Sequence, residues 1–165
     1  MTSQTVPLDF VTHSPDETFL LGQALGKSLR PGVFIGLRGP LGAGKTHFVR
    51  GVAEGAGVPA REVASPTFSI VSTYEGRLTL HHADLYRIEN ADELFATGFF
   101  DLLDGKSVAL VEWADKFSGA CPREGLWVSL APVEIDSRQV QATATGLLPT
   151  QVLAEWAEGA GAWRR

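Results

Sequence analysis

Hydrophobic and polar positions along the chain alternate in short blocks with a changing period. Leu8-Asp9-Phe10-Val11-Thr12 alternates, which predicts a first strand. Ser14-Pro15-Asp16-Glu17 then reads as a helix start. Ser14 is the cap, Pro15 suits the first helical position and Glu17 completes a capping box. Phe19, Leu20, Ala24 and Leu29 are expected on the buried face of that helix, and Arg30-Pro31-Gly32 ends it. Val33-Phe34-Ile35-Gly36-Leu37 is nearly continuous in apolar residues, as in a strand covered on both faces. A glycine-rich turn follows, and a helix runs from Lys45 to Ala56 until Gly57 and Pro59 stop it. The β-rich stretches Phe68 to Tyr74 and Leu78 to His82 are joined at Glu75-Gly76-Arg77. A helix is predicted over Ala91 to Leu103 and a second buried strand over Ser107 to Val111. Leu126 to Leu130 and Gln139 to Thr145 alternate, and Leu147 to Glu158 closes the chain as a helix. The resulting order, with a short helix between the last buried strand and the final pair, is that of an α/β domain with a mixed β-sheet and helices on both faces.

Composition narrows the class. The chain has 165 residues, near the usual size of one domain at about 150. At 44% hydrophobic and 20% charged it is globular. We expect one domain over residues 1–165, with a tail over 158–165 prone to disorder around Gly159-Ala160-Gly161-Ala162. A single cysteine, Cys121, excludes an internal disulfide and a zinc site of several thiolates. Fourteen Lys and Arg against 19 Asp and Glu leave a net charge of −5, which disfavours a grip on a nucleic-acid backbone by this chain alone. No apolar run approaches the ~20 residues of a membrane span. The first residues have no basic segment before an apolar one, so no secretory signal is expected and the cytoplasm is the expected compartment.

The turn after the first buried strand carries the chemistry. Gly39-Pro40-Leu41-Gly42-Ala43-Gly44-Lys45-Thr46 matches G-x-x-x-x-G-K-[ST], with a strand before it and a helix after it. Gly39, Gly42 and Gly44, with Leu41 and Ala43 between them, let the backbone wrap around phosphate with its N–H groups inward. The following helix offers its positive end, Lys45 adds a cation on the β- and γ-phosphates, and Thr46 supplies a hydroxyl to Mg2+. Catalysis also needs a metal carboxylate and a group that orients the nucleophile. Two acids qualify by position: Glu112, after Val108-Ala109-Leu110-Val111, and Asp84, after Leu78 to Ala83. Both stand at strand C-terminal ends, where ligands of open α/β sheets bind. Ser65-Pro66-Thr67-Phe68 offers two hydroxyls beside a rigid proline, either as a phosphate-sensing loop or as a plain turn. His81 and His82 fall on opposite faces of a strand, and Trp113 suits base stacking or core packing. The guanine-reading N-K-x-D loop is absent, since the one asparagine, Asn90, precedes Ala91, so adenine is favoured. Thr12-His13-Ser14 is a candidate for holding that adenine.

Together these residues resemble a known family. Gly39 to Thr46, Ser65-Pro66-Thr67-Phe68, His82-Ala83-Asp84-Leu85-Tyr86-Arg87 and Leu110-Val111-Glu112-Trp113, in this order and spacing, look like the bacterial TsaE (formerly YjeE) family. The resemblance covers roughly residues 8 to 146. It implies a P-loop ATPase that binds ATP or ADP with Mg2+ and is needed for threonylcarbamoyladenosine (t6A) at adenine 37 of tRNAs reading ANN codons. It implies action on the TsaB–TsaD complex, with TsaC in the same pathway and tRNA engaged only indirectly. By matching position, Lys45 and the loop glycines hold phosphates, Thr46 and Glu112 hold Mg2+, and Asp84 is the catalytic or water-positioning acid. Thr67 lies in a switch-like loop, Trp113 lies beside the nucleotide, and Tyr86 and Arg87 support the site or face a partner. The chain departs from the family pattern at Pro40, in place of Asp, and at His47, in place of Thr.

Overall fold

The computed structural model describes residues 4–64 and 70–165. Seven strands form one sheet: β1 (Leu8–Thr12), β2 (Phe34–Arg38), β3 (Val71–Glu75), β4 (Thr79–Asp84), β5 (Val108–Glu112), β6 (Gly125–Pro132) and β7 (Arg138–Thr145). Their spatial order is β1-β7-β6-β2-β5-β4-β3. The central strands β6, β2, β5 and β4 run parallel. The outer strands β3, β7 and β1 pair antiparallel with their neighbours. The two strands predicted to be covered on both faces, β2 and β5, lie next to each other in the middle of the sheet. Their side chains divide between two cores. Ile35, Leu37, Val108 and Leu110 join one cluster, and Phe34, Ala109 and Val111 join the other. This is the mixed sheet with helices on both faces that the pattern predicts.

The larger core lies under α1 (Pro15–Ser28), α2 (Lys45–Gly55) and α4 (Leu147–Gly159), and it centres on Phe10, Phe48 and Trp156. The smaller core lies on the opposite face under α3 (Ala91–Ala96) and the 3-10 turns Phe99–Leu102 and Ala114–Ala120. The helix expected over Ala91 to Leu103 is therefore two pieces. Gly98 adopts φ +79° between them, a left-handed value that ends a helix.

The buried face of α1 is only in part the expected one, since Leu29, just past its end, is buried as expected. Leu20 is 43% exposed and Phe19 and Ala24 are only half-buried, whereas Thr18, Leu21, Gly22, Leu25 and Gly26 are buried. Glycine decides this. A Cβ on Gly22 would lie 2.3 Å from the Phe48 carbonyl oxygen, and one on Gly26 would lie 2.1 Å from that of Val52. From the other side, Cβ atoms on Gly51 and Gly55 would meet the carbonyl oxygens of Phe19 and Gln23 at 2.0 and 2.2 Å. The two helices therefore touch backbone to backbone. We expect Gly26→Val to destabilise the fold by about 3 kcal/mol, the upper end of overpacking costs, because the clash is with backbone that cannot rotate away. A urea midpoint unchanged from wild type would show that α1 can be displaced without loss.

The last residues pack back against α1 and β1. Gly161–Trp163 forms a 3-10 turn, Trp163 Nε1 donates to Glu17 Oε1 at 3.1 Å, and Arg165 N donates to Asp9 O at 3.0 Å. Among the described residues, no helix is long and apolar enough to cross a membrane.

Candidate functional site

β2 delivers the chain into the glycine-rich turn at the C-terminal edge of the parallel strands. Gly42 and Gly44 have φ +78° and +93°, conformations that glycine adopts without a Cβ penalty. Gly44 is the N-cap of α2, with no side chain in the capping bond and no acid in the first helical turn. The positive end of an 11-residue helix thus faces a cleft of about 380 Å3. The cleft is lined by Pro15, Leu41 to His47, Asp84, Tyr86, Glu112, Trp113 and Arg138.

Lys45 is 6% exposed and lies against the loop it follows. Its Nζ donates to Gly39 O at 2.5 Å and sits 3.8 Å from the centroid of the Trp113 ring. Burial lowers its pKa, and the nearby charges of Glu112, Asp84 and Asp115 oppose that shift. A buried amine with no carboxylate in salt-bridge contact among the described residues is placed to meet an anion that enters the cleft.

The two candidate acids stand side by side. β4 and β5 are parallel with Asp84 opposite Glu112, and β2 pairs Leu37 with Glu112, so both acids end beside the start of the loop. Glu112 is 4% exposed, and its Oε2 lies 2.6 Å from His82 Nε2, itself almost fully buried. That contact engages one nitrogen of the His82 ring; the other, Nδ1, is buried with no hydrogen-bond partner among the described residues. His81, on the other face, meets Thr73 Oγ1 at 2.9 Å. Asp84 is half-buried, and its Oδ1 accepts from the Tyr86 N–H at 3.0 Å. Burial raises the Asp84 pKa most. The Tyr86 N–H pulls it back, Glu112 adds to the rise, and His82 and Lys45 oppose it.

Trp113 follows Glu112 with φ +59° and ψ +29°, the one non-glycine with positive φ among the described residues. A bulky residue in that region is strained by about 1–2 kcal/mol, and such strain is concentrated at ligand sites. The conformation turns the ring over Lys45 and against Tyr86, with ring centroids 5.1 Å apart. Of base stacking and core packing, the structure speaks to the second. Trp113 packs on the smaller core and also lines the cleft.

The structure therefore brings together Gly42, Gly44, Lys45, Thr46, Asp84, Glu112 and Trp113, along with Leu41 and Ala43, around one cleft. Gly39 is adjacent and receives Lys45. Thr67, with the rest of Ser65-Pro66-Thr67-Phe68, lies outside the described residues. Tyr86 lines the cleft, whereas Arg87 is exposed and does not. Thr12 and Ser14 are committed elsewhere: Thr12 Oγ1 meets Thr18 Oγ1 at 2.7 Å, and Ser14 Oγ caps α1 through the Glu17 N–H. Pro15, next to that segment, lines the cleft instead. Arg138, which no sequence motif marks, is the cleft residue that sequence reasoning missed. It stands at the first position of β7, far along the chain from the loop it touches.

The oxygen donors present suit magnesium. Thr46 offers a hydroxyl and Glu112 a carboxylate on the same cleft, with no thiolate near them. Among the described residues, no three His, Cys, Asp or Glu side chains form a metal cage.

Comparison with known proteins identifies a family. Residues 12–140 match the family model described as threonylcarbamoyl adenosine biosynthesis protein TsaE. The tRNA threonylcarbamoyladenosine biosynthesis protein TsaE of Bacillus subtilis is 39% identical over 140 residues, covering 84% of this chain and 87% of that protein. Its counterpart from Treponema pallidum is 35% identical over 130 residues, covering 79% and 96%. The crystal structure of Bacillus subtilis YdiB superposes with a TM-score of 0.74 at 31% identity, over 96% of this chain and 97% of that one.

Proposed function

Because this chain belongs to the TsaE family, we propose that it is a Mg2+-dependent ATPase that serves t6A modification of tRNA by acting on the TsaB–TsaD complex. The observation that carries the reading is the convergence of Lys45, Thr46, Asp84 and Glu112 on one cleft at the N-terminal end of α2. The loop N–H groups and Lys45 bind the β- and γ-phosphates of ATP, and the helix end favours their charge. Thr46 Oγ1 and the Glu112 carboxylate are the atoms that would hold magnesium, with His82 fixing the direction of Glu112. Magnesium, when bound, neutralises charge on the phosphate oxygens.

Asp84 orients the attacking water. The water oxygen bonds to the γ-phosphorus, the bond from that phosphorus to the β–γ bridging oxygen breaks, and ADP and phosphate leave. Asp84 accepts the water proton, a role suited to a carboxyl raised by burial above its ordinary value. Trp113 covers Lys45 and shields this side of the cleft from water. Thr67, by its place in the family pattern, senses the γ-phosphate. TsaC lies in the same pathway, and the net charge of −5 suits a chain whose contacts are protein surfaces, with tRNA engaged only through them.

Steady-state ATP hydrolysis with Mg2+, with and without TsaB–TsaD, tests this reading, with Asp84→Ala as the blank. We expect slow turnover alone and at least about tenfold stimulation by the pair, lost in the variant. No turnover above the blank in either condition would leave a nucleotide-gated binding module. Phosphate transfer to a small acceptor in place of water would make the chain a kinase.

A further inference from the structure

The guanidinium of Arg138 is spread over five backbone carbonyls in two segments. Its Nε donates to Ala43 O at 2.9 Å and its Nη2 to Gly42 O at 3.2 Å, both in the phosphate loop. Its Nη1 faces the turn between β6 and β7, with Ser137 O at 2.9 Å, Ile135 O at 3.1 Å and Glu134 O at 3.2 Å. The ion pairs among the described residues are Arg30–Glu155 and His82–Glu112, so Arg138 has no carboxylate partner among them. The side chain also lines the cleft.

An anion-binding loop must turn its carbonyls away from the anion. In a planar trans peptide the C=O and the following N–H point in opposite directions. Holding the Ala43 carbonyl therefore aims the N–H of Gly44, the last loop residue before α2, away from the guanidinium. Arginine suits this task and lysine does not. The guanidinium carries five donors in a rigid plane, whereas an ammonium is a point charge on a flexible stem. We propose that Arg138 is a positioning residue for phosphate binding: it clamps the phosphate loop to the β6–β7 turn and so presets the loop for the β-phosphate of a nucleoside di- or triphosphate. This rests on the reading of the cleft as a nucleotide site.

The test is calorimetric titration of ADP and of AMP, which lacks the β-phosphate, into the wild type, Arg138→Ala and Arg138→Lys. We expect the Ala variant to bind ADP at least about tenfold more weakly while AMP changes by less than about threefold. The Lys variant, which keeps the charge without the fork, stays at least about fivefold weaker than wild type for ADP. In hydrolysis, KM for ATP rises by a larger factor than kcat falls. Thermal midpoints of the ligand-free variants control for folding, and the Lys variant decides the question if Ala does not fold. Wild-type ADP affinity in the Ala variant, an equal loss for AMP and ADP, or full restoration by Lys would each overturn the clamp. Failure of the wild-type protein to bind ADP would instead sink the nucleotide reading, and this role with it.

Discussion

Replacing Lys45 by alanine is expected to weaken ADP binding by at least about thirtyfold. A charge-assisted contact to phosphate contributes about 2 kcal/mol or more, and each 1.4 kcal/mol is about tenfold. The loss is specific to binding. In the ligand-free protein Lys45 is buried at a desolvation cost, and it donates to Gly39 O rather than to a structural carboxylate. Its removal therefore leaves the fold near wild-type stability while emptying the cleft of a cation. The variant also loses the contact with the Trp113 ring, so Trp113 fluorescence should change in the ligand-free state. Calorimetry with ADP gives the affinity, and a thermal midpoint separates it from unfolding. Equal affinity of variant and wild type would mean that the loop does not hold phosphate through Lys45.

Asp84→Asn is expected to separate turnover from binding and from stability. General-base and positioning groups contribute about a hundredfold or more to rate. We expect kcat to fall by about that factor, with ADP affinity kept within about threefold. Stability should move the other way. Asp84 has its folded pKa raised above the ordinary 3.8, mainly by burial. A carboxyl shifted in that direction contributes stability that is full below its unfolded pKa and is lost as pH rises through its folded pKa. At neutral pH the wild type therefore carries the cost of a desolvated charge, which asparagine lacks. The variant should melt above wild type at neutral pH, and the gap should close as pH falls into the ordinary carboxylate range. A variant that melts below wild type at neutral pH would show that the Tyr86 N–H contact outweighs the burial.

Much of this molecule was legible from the chain. Strands buried on both faces announce themselves as apolar runs, and Val33 to Leu37 and Ser107 to Val111 did become the adjacent central strands β2 and β5. The glycine-rich turn between β2 and α2 was legible because G-x-x-x-x-G-K-[ST] demands residue types at fixed spacing. The pairing of Asp84 with Glu112 was legible because each closes a strand. The buried face of α1 was misread for a physical reason: hydrophobicity marks large side chains, and here the contact is made where side chains are missing, at Gly22 and Gly26. The break at Gly98 is equally silent in a periodic pattern that runs through it. Arg138 was invisible because its partners are carbonyls, which every residue has, in a segment brought close only when β7 pairs with β6.

The glycine seam between α1 and α2 bears on how the site moves. Helices that meet through side chains can slide by changing rotamers. Helices that meet through backbone have no such slack, since the atoms in contact are those that carry the helical hydrogen bonds. The first turn of α2 holds Lys45 and Thr46, and α1 begins at Pro15 on the rim of the same cleft. The two helices thus behave as a single rigid jaw. On the proposed function, a nucleotide that shifts the start of α2 would carry α1 with it, and a partner that grips the outer face of α1 would have a stiff lever onto the phosphates.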